Sequence, residues 1–449
     1  MLSFIRLNAK CSRREAYGRR WTAATIAAVL AAASVASAGI GIASAAATSW
    51  VGATSNDFND ATNWASGLPS QSVNANINSI AAGDNAPDIL ATETVTVSNL
   101  NLGNISSGTD NGSLTIDGAL NLAQTGTAND GKAMTIGYAA YTGSGTGDTF
   151  NSVTLDSTGK VTLDTRSELR VGNQNWGEFN QLGGTLTSNF AVEMGVITPY
   201  TSSSLGGIPG YSGFGGVYLM QGGSATFNNK LAIGQAASAE FVQSGGTVTV
   251  QGGSGGNTGL VLSESTASTV SGTEGVYAIS GGSLAVTSVN GINGGRSGVS
   301  ESVFDVQGSN ATSITTTNFN LSATGSILQI GLDANGSTLI ADSGNFKLGS
   351  GTVLDVSELP GFNVNGGNVA GKPGWYRIAS VGGTLTDSGV TLNSGNGVVY
   401  SLVSDPGYLT IDVTSAPAIP EPAPIALLAI GAGGAGLASR HRRAARPQK

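Results

Sequence analysis

The residue types best suited to catalysis are nearly missing from this chain. One cysteine, Cys11, and one histidine, His441, occur in 449 residues, and both lie in short terminal segments. The stretch between them therefore excludes disulfides, Cys/His zinc sites, a cysteine nucleophile and any Ser-His-Asp triad. Carboxylates, Lys, Arg, Tyr and hydroxyls remain. A glycosidase can work with two carboxylates, and a polysaccharide lyase would need clustered acids to hold calcium and a basic residue to take the proton. Asp156, Asp164 and Glu168 lie near Lys160, Arg166 and Arg170 in the sequence. On a strand, positions 164, 166, 168 and 170 would share one face with alternating sign, which reads first as a solvated, salt-bridged surface. Asp57 and Asp60, with Asn56, Asn59 and Asn63, are candidate Ca2+ ligands, although Asx-rich turns also satisfy their own backbone. Gly143 to Phe150 is the nearest approach to a calcium-binding nonapeptide, but it occurs once and lacks the double glycine. No catalytic residue, metal ligand set or cofactor is assigned from these residues.

Charge excludes a further class. Of 20 basic residues, six lie in residues 1–20 and five in 440–449, while only Glu15 and Glu421 of the 28 acidic residues fall outside 39–416. Nine basic and 26 acidic residues are left in the body, a net of −17 that argues against any nucleic-acid partner.

The elements that position these groups are strands. Glycine contributes 68 residues and charged residues only 11%, with no every-third-residue glycine rule. One unit recurs: Phe179-Asn-Gln-Leu-Gly-Gly-Thr-Leu-Thr187, Tyr218-Leu-Met-Gln-Gly-Gly-Ser-Ala-Thr226, Phe241-Val-Gln-Ser-Gly-Gly-Thr-Val-Thr249 and Tyr277-Ala-Ile-Ser-Gly-Gly-Ser-Leu-Ala285, then degenerately Phe304-Asp-Val-Gln-Gly-Ser-Asn310. An aromatic stands four residues before the first glycine and a Gln, Met, Ile or Val two before it, so both face one side of a strand. The glycines permit a corner with positive φ, and a second strand follows. An apolar-Gly pair closes further short strands at Leu102-Gly103, Ile136-Gly137, Val171-Gly172, Met194-Gly195, Ile233-Gly234, Ile330-Gly331 and Leu348-Gly349. Irregular repeats of roughly 20–25 residues with insertions are the pattern of a right-handed parallel β-solenoid, in which stacking of neighbours makes the core. An antiparallel sandwich array would carry tighter hairpin signals and more aromatics. The expected fold class is all-β, with about a dozen coils in residues 95–354.

Caps are expected at both ends, because a bare solenoid end exposes an unpaired strand. Residues 48–94 hold Trp50-Val-Gly52, Asn56-Asp-Phe-Asn-Asp60, Asn63-Trp64 and Gly67-Leu-Pro69. Their indoles would form either a packed cap or a carbohydrate-binding patch. Residues 355–414 end in Val398–Val403 and Tyr408–Val413 about Ser404-Asp405-Pro406-Gly407, a hairpin signal and the expected antiparallel C-terminal β cap.

The two termini read as addresses. Residues 1–47 carry a basic start, an Ala-rich apolar run from Ala23 to Ala36, and small-residue sites ending at Ala38 and Ala45: a signal peptide in layout. Residues 415–449 comprise a linker, Pro420-Glu421-Pro422, an uncharged run from Ala423 to Ala438, and the cluster Arg440, Arg442, Arg443 and Arg446. The run is slightly short for a bilayer core, and the arginines behind it should stay cytoplasmic. This tripartite ending resembles the PEP-CTERM sorting signal of Gram-negative bacteria. Ala423-Pro424 follows the motif where that family often has a serine. The W-x-G…N-W-x-x-G-x-P spacing near residue 50 is similar to the mature N-terminus of surface proteins with such tails or with autotransporter-like passengers. The resemblance implies transient anchoring in the inner membrane by a C-terminal transmembrane sorting helix. Cleavage near the motif by an exosortase, after passage through the secretion machinery, would then deliver the protein to the cell surface or the extracellular space.

Two functions are compatible with this reading. One is a non-catalytic surface or matrix protein with an adhesion, biofilm or envelope role and extracellular polysaccharide as a candidate partner. The alternative is a secreted carbohydrate-active enzyme or glycan-binding protein on the same β-helix. Missing histidine, sparse bases and the lack of a convergent acid cluster favour the first.

Overall fold

A computed structural model describes residues 46–78, 80, 84–103, 111–124, 132–138, 151–196, 215–253, 258–264, 273–295, 301–394 and 398–415. The signal segment with Ala38 and Ala45, the nonapeptide-like stretch, the sorting motif with its apolar run, and the arginine cluster lie outside the described residues. Among the described residues there is no α-helix, and no helix is long and apolar enough to cross a membrane.

The chain winds through three sheets in turn, and every third strand pairs with the one before. The first sheet holds the aromatic strands of the repeat, Gly177–Gln181, Gly216–Met220, Ala239–Gln243 and Glu274–Ile279. After the Gly-Gly corner comes the second sheet, with Thr185–Ser188, Ser224–Phe227, Thr247–Val250 and Gly282–Val286. The third sheet takes the short strands closed by the apolar-Gly pairs, among them Glu168–Val171, Val192–Met194 and Lys230–Ile233, and also Gly259–Leu262, where Ser263 with φ +56° stands in place of the closing glycine. The sheets contain 11, 12 and 12 strands, and the ladders are parallel up to the C-terminal hairpin. This is a parallel β-solenoid. Parallel pairing extends past residues 95–354 on both sides, beginning at Ala46–Ser49 against Val73–Ile77 and running on to Thr391–Ser394.

Strand partners keep register while the loops between them vary. Gly177 pairs with Gly216, 39 residues on, and Gly216 with Ala239, only 23 on. The core therefore repeats even though the sequence interval does not. Inward columns such as Val161, Leu186, Ala225, Val248 and Leu284 are fully buried. Phe179, Tyr218, Phe241, Tyr277 and Phe304 stack through the interior with centroids 4.4–5.7 Å apart and planes within 22°.

The corner glycine is required by the backbone. Gly246 has φ +70°, and a Cβ there would lie 2.8 Å from the carbonyl carbon and oxygen of Gly222 in the coil below. Gly184, Gly223 and Gly282 occupy the same place in their coils, so the pairs line one edge. The apolar-Gly expectation fails at Ile330-Gly331, which lies inside the strand Ser326–Leu332. Ile330 occupies the first-sheet column of Gln243, Ile279 and Val306, not a third-sheet end, and with no Gly-Gly corner following it the strand runs on.

At the N-terminal side, Trp50, Phe58 and Trp64 form a packed aromatic group, with Trp64 5.1 Å from Trp50 and 4.8 Å from Phe58 between ring centroids. All three are buried, and the indole N–H groups donate to the carbonyls of Asn85 and Phe58. The segment also bonds to the first strand of the first sheet: Phe58 N–H donates to Asp88 O, and Asp88 N–H to Asn56 O. At the far end, Val399–Asp405 and Tyr408–Ser415 form the hairpin read from the sequence, and it pairs antiparallel with Trp375–Val381.

Candidate functional site

Among the described residues, four of the five ion pairs gather on the outward side of the third sheet, across four consecutive coils. Glu168 and Arg170 come from Glu168–Val171, Glu193 from Val192–Met194, Lys230 from Lys230–Ile233, and Glu264 follows Gly259–Leu262. Arg170 sits directly beside Glu193 in the parallel register. Its guanidinium lies 2.7 Å from Glu168 and 3.8 Å from Glu193, and Lys230 Nζ bridges Glu193 at 2.9 Å and Glu264 at 2.7 Å. These side chains are only 6–17% exposed.

Burial sets the protonation. Loss of water, followed by the neighbouring Glu193 carboxylate, pushes Glu168 up to about 8, so at neutral pH it holds a proton. Burial works against the charge of Glu193 too, but the hydrogen bond from Glu168, with Lys230 and Arg170, keeps its carboxyl below the usual range. Lys230 is disfavoured by burial and yet raised by Glu193 and Glu264. With Glu168 neutral, two cations face two carboxylates and the ladder is balanced. Both bases are held between acids, so neither is free to abstract a substrate proton. The Glu168 and Glu193 carboxyls are both taken up by ion pairs, the first with Arg170 and the second with Arg170 and Lys230, so they are not offered to a substrate as the acid pair of a glycosidase must be.

The sequence candidates fare differently from one another. Glu168 and Arg170 do pair, but Asp164 and Arg166 are not on that strand. They belong to the preceding turn, where Asp164 accepts from Arg166 N–H, Ser167 Oγ and Gln124 N–H. The expected solvated face is thus a two-residue strand contribution to a buried ladder, because the chain turns between Leu163 and Glu168. Asp156 lies at the opposite corner of the coil, where its charge adds to burial in raising the Asp117 carboxyl. Glu193, Lys230 and Glu264 were not singled out by sequence reasoning. Aligning the chain on its apolar-Gly pairs would have found one of them, since Arg170 and Glu193 both stand immediately before the closing apolar residue.

The N-terminal Asx residues are engaged with their own loop. Asp57 accepts from Asn59 N–H at 2.7 Å, and Asp60 from Thr62 N–H at 2.9 Å and Thr62 Oγ1 at 2.6 Å. Asn63 Oδ1 takes Thr54 N–H, Thr54 Oγ1 and Ser55 N–H. Among the described residues no group of three or more His, Cys, Asp or Glu is arranged to hold a metal ion.

A second acidic row lies on the first sheet. Burial raises Glu240 to about 7, with Glu274 and Asp305 adding to the shift, and raises Asp305 to about 6. No basic side chain is ion-paired with either among the described residues. No protein-family model matches this chain, and no curated protein matches it.

Proposed function

We propose that the chain is an exported, non-catalytic surface or extracellular-matrix protein. Its body is a right-handed parallel solenoid with an aromatic N-terminal cap and an antiparallel C-terminal cap. A signal peptide in residues 1–47 directs export. Residues 415–449 hold the chain transiently in the inner membrane until an exosortase cleaves near Pro420-Glu421-Pro422, leaving Arg440, Arg442, Arg443 and Arg446 on the cytoplasmic side. The observation that carries the non-catalytic reading is the ionic ladder: its bases are neutralised by acids across the coils. Packing of Trp50 and Trp64 likewise removes the obvious aromatic platform for a sugar. Adhesion through weak, repeated contacts to polysaccharide or neighbouring proteins, multiplied by copy number, is the mode that such a surface supports.

Mass spectrometry of surface and culture protein tests the sorting, with tail peptides beyond Pro422 expected to be missing from the mature form. Intact Arg440–Lys449 on most surface molecules would refute it. A polysaccharide-degradation screen on the purified protein tests the non-catalytic reading. Cleavage abolished by substituting one Asp or Glu would establish the enzyme instead.

A further inference from the structure

The outward face of the second sheet differs from the other two. On the third sheet, outward positions such as Ala232 and Val261 are buried, as are Val276 and Val303 on the first. From Thr94 to Thr315, every outward position of the second sheet is exposed or half-buried. Two rows run across its coils in unbroken register: Thr185, Ser224 and Thr247 in one, Thr187, Thr226 and Thr249 in the other. The first row runs on to Ser283 and Ser313 but begins beside Lys160, the second begins beside Thr162 but is followed by Ala285, and Ser283 Oγ donates to Thr247 Oγ1 at 3.2 Å, linking one coil to the next. Twelve of the sixteen outward positions in these eight strands are Ser or Thr, and Lys160 is the one charged residue.

The chemistry of this face narrows its partner. It is almost uncharged on a body of net −17, so its complement is a neutral surface. It carries no aromatic ring for a sugar to stack on, and a lone hydroxyl exchanging water for a sugar hydroxyl gains little. A fixed array is different when the ligand has the same two-dimensional repeat. Each contact is weak, but all engage in one register, and the strands are ordered before binding. Rungs stand ~4.8 Å apart along the stack and alternate residues ~6.6 Å apart along a strand, within roughly a tenth of the oxygen repeats on a prism face of hexagonal ice. Threonine offers that lattice both a hydroxyl and a methyl group. We infer that the second sheet's hydroxyl face binds ice, with Thr187, Thr226 and Thr249 at its centre and Lys160 as its main interruption.

The test is adsorption of the fluorescently labelled full-length chain to slowly growing ice, alongside an inert globular protein and insoluble cellulose. The native chain is expected to concentrate in the ice at least ten-fold over the inert protein. Thr187→Tyr/Thr226→Tyr/Thr249→Tyr, which raises rings above the plane, should abolish the enrichment while the β circular dichroism persists. Lys160→Thr should increase enrichment, and it still tests the idea if the triple variant fails to fold. Val289→Lys, at an exposed position elsewhere, should change nothing. Exclusion of the native chain from ice overturns the inference. So does enrichment indifferent to both the triple and Lys160 substitutions, or retention on cellulose alone that the triple variant abolishes.

Discussion

Tyr277→Phe removes one oxygen from the centre of the solenoid, and its consequence can be worked out from the contacts. Tyr277 Oη donates to Gln243 Oε1 in the preceding coil at 2.6 Å, and both residues are fully buried. The amide cannot turn round to find another donor. Its Nε2 already donates to Ser283 O at 3.0 Å and Gly246 O at 3.3 Å, and a flip would set oxygen against those carbonyls. Gln243 Oε1 would therefore be left unsatisfied in an apolar interior, at about 1–3 kcal/mol. Gln243→Met alone strands the tyrosine hydroxyl instead. The double variant removes both groups, so the two changes should cost less together than separately, with a coupling energy of about 1–2 kcal/mol. Because a solenoid's stability is nearly a sum over neighbouring coils, local hydrogen exchange in residues 239–250 and 274–286 is a better assay than one global midpoint. Tyr218 and Gln181 make the same bond two coils earlier, at 2.5 Å, and provide an internal replicate. Additive single effects, or a Tyr277→Phe cost below about 0.5 kcal/mol, would refute the claim that the tyrosine exists to satisfy the buried glutamine.

Other consequences can be measured on the same protein. Gly246→Val should destabilise its coil by about 1–3 kcal/mol, since φ +70° is strained for a β-branched residue and its Cβ would meet Gly222; denaturant titration reads this. Lys230→Met should cost about 3 kcal/mol by leaving Glu193 and Glu264 buried without their shared cation, with the loss concentrated in exchange of residues 192–194 and 259–262. The folded Glu168 carboxyl keeps its proton up to about 8, whereas the unfolded one releases it near 4.5. The folded chain binds more protons between those values, so this group's contribution to stability declines as pH rises through that window and is flat above it. Glu168→Gln should remove that slope from a stability–pH profile, and an unchanged slope would place the proton elsewhere.

The sequence determined the architecture because a parallel solenoid writes the same local requirements into every coil. Phe179, Tyr218, Phe241 and Tyr277, each four residues ahead of a glycine pair, disclosed an inward strand followed by a corner that only glycine fills without strain. The hairpin about Asp405-Pro406-Gly407 was legible for the same reason, being set by neighbours in the chain. What the sequence left open depended on residues brought together from different coils. Loop insertions of changing length hide which residue lies above which, so Glu193, Lys230 and Glu264 looked like scattered charges until strand register set Glu193 beside Arg170 and brought Lys230 between Glu193 and Glu264. Gln181 and Gln243 likewise looked like ordinary polar residues on a repeat. Only stacking revealed that each is closed by the tyrosine one coil later, because the hydrogen-bond partner is supplied by the ladder spacing and not by proximity along the chain.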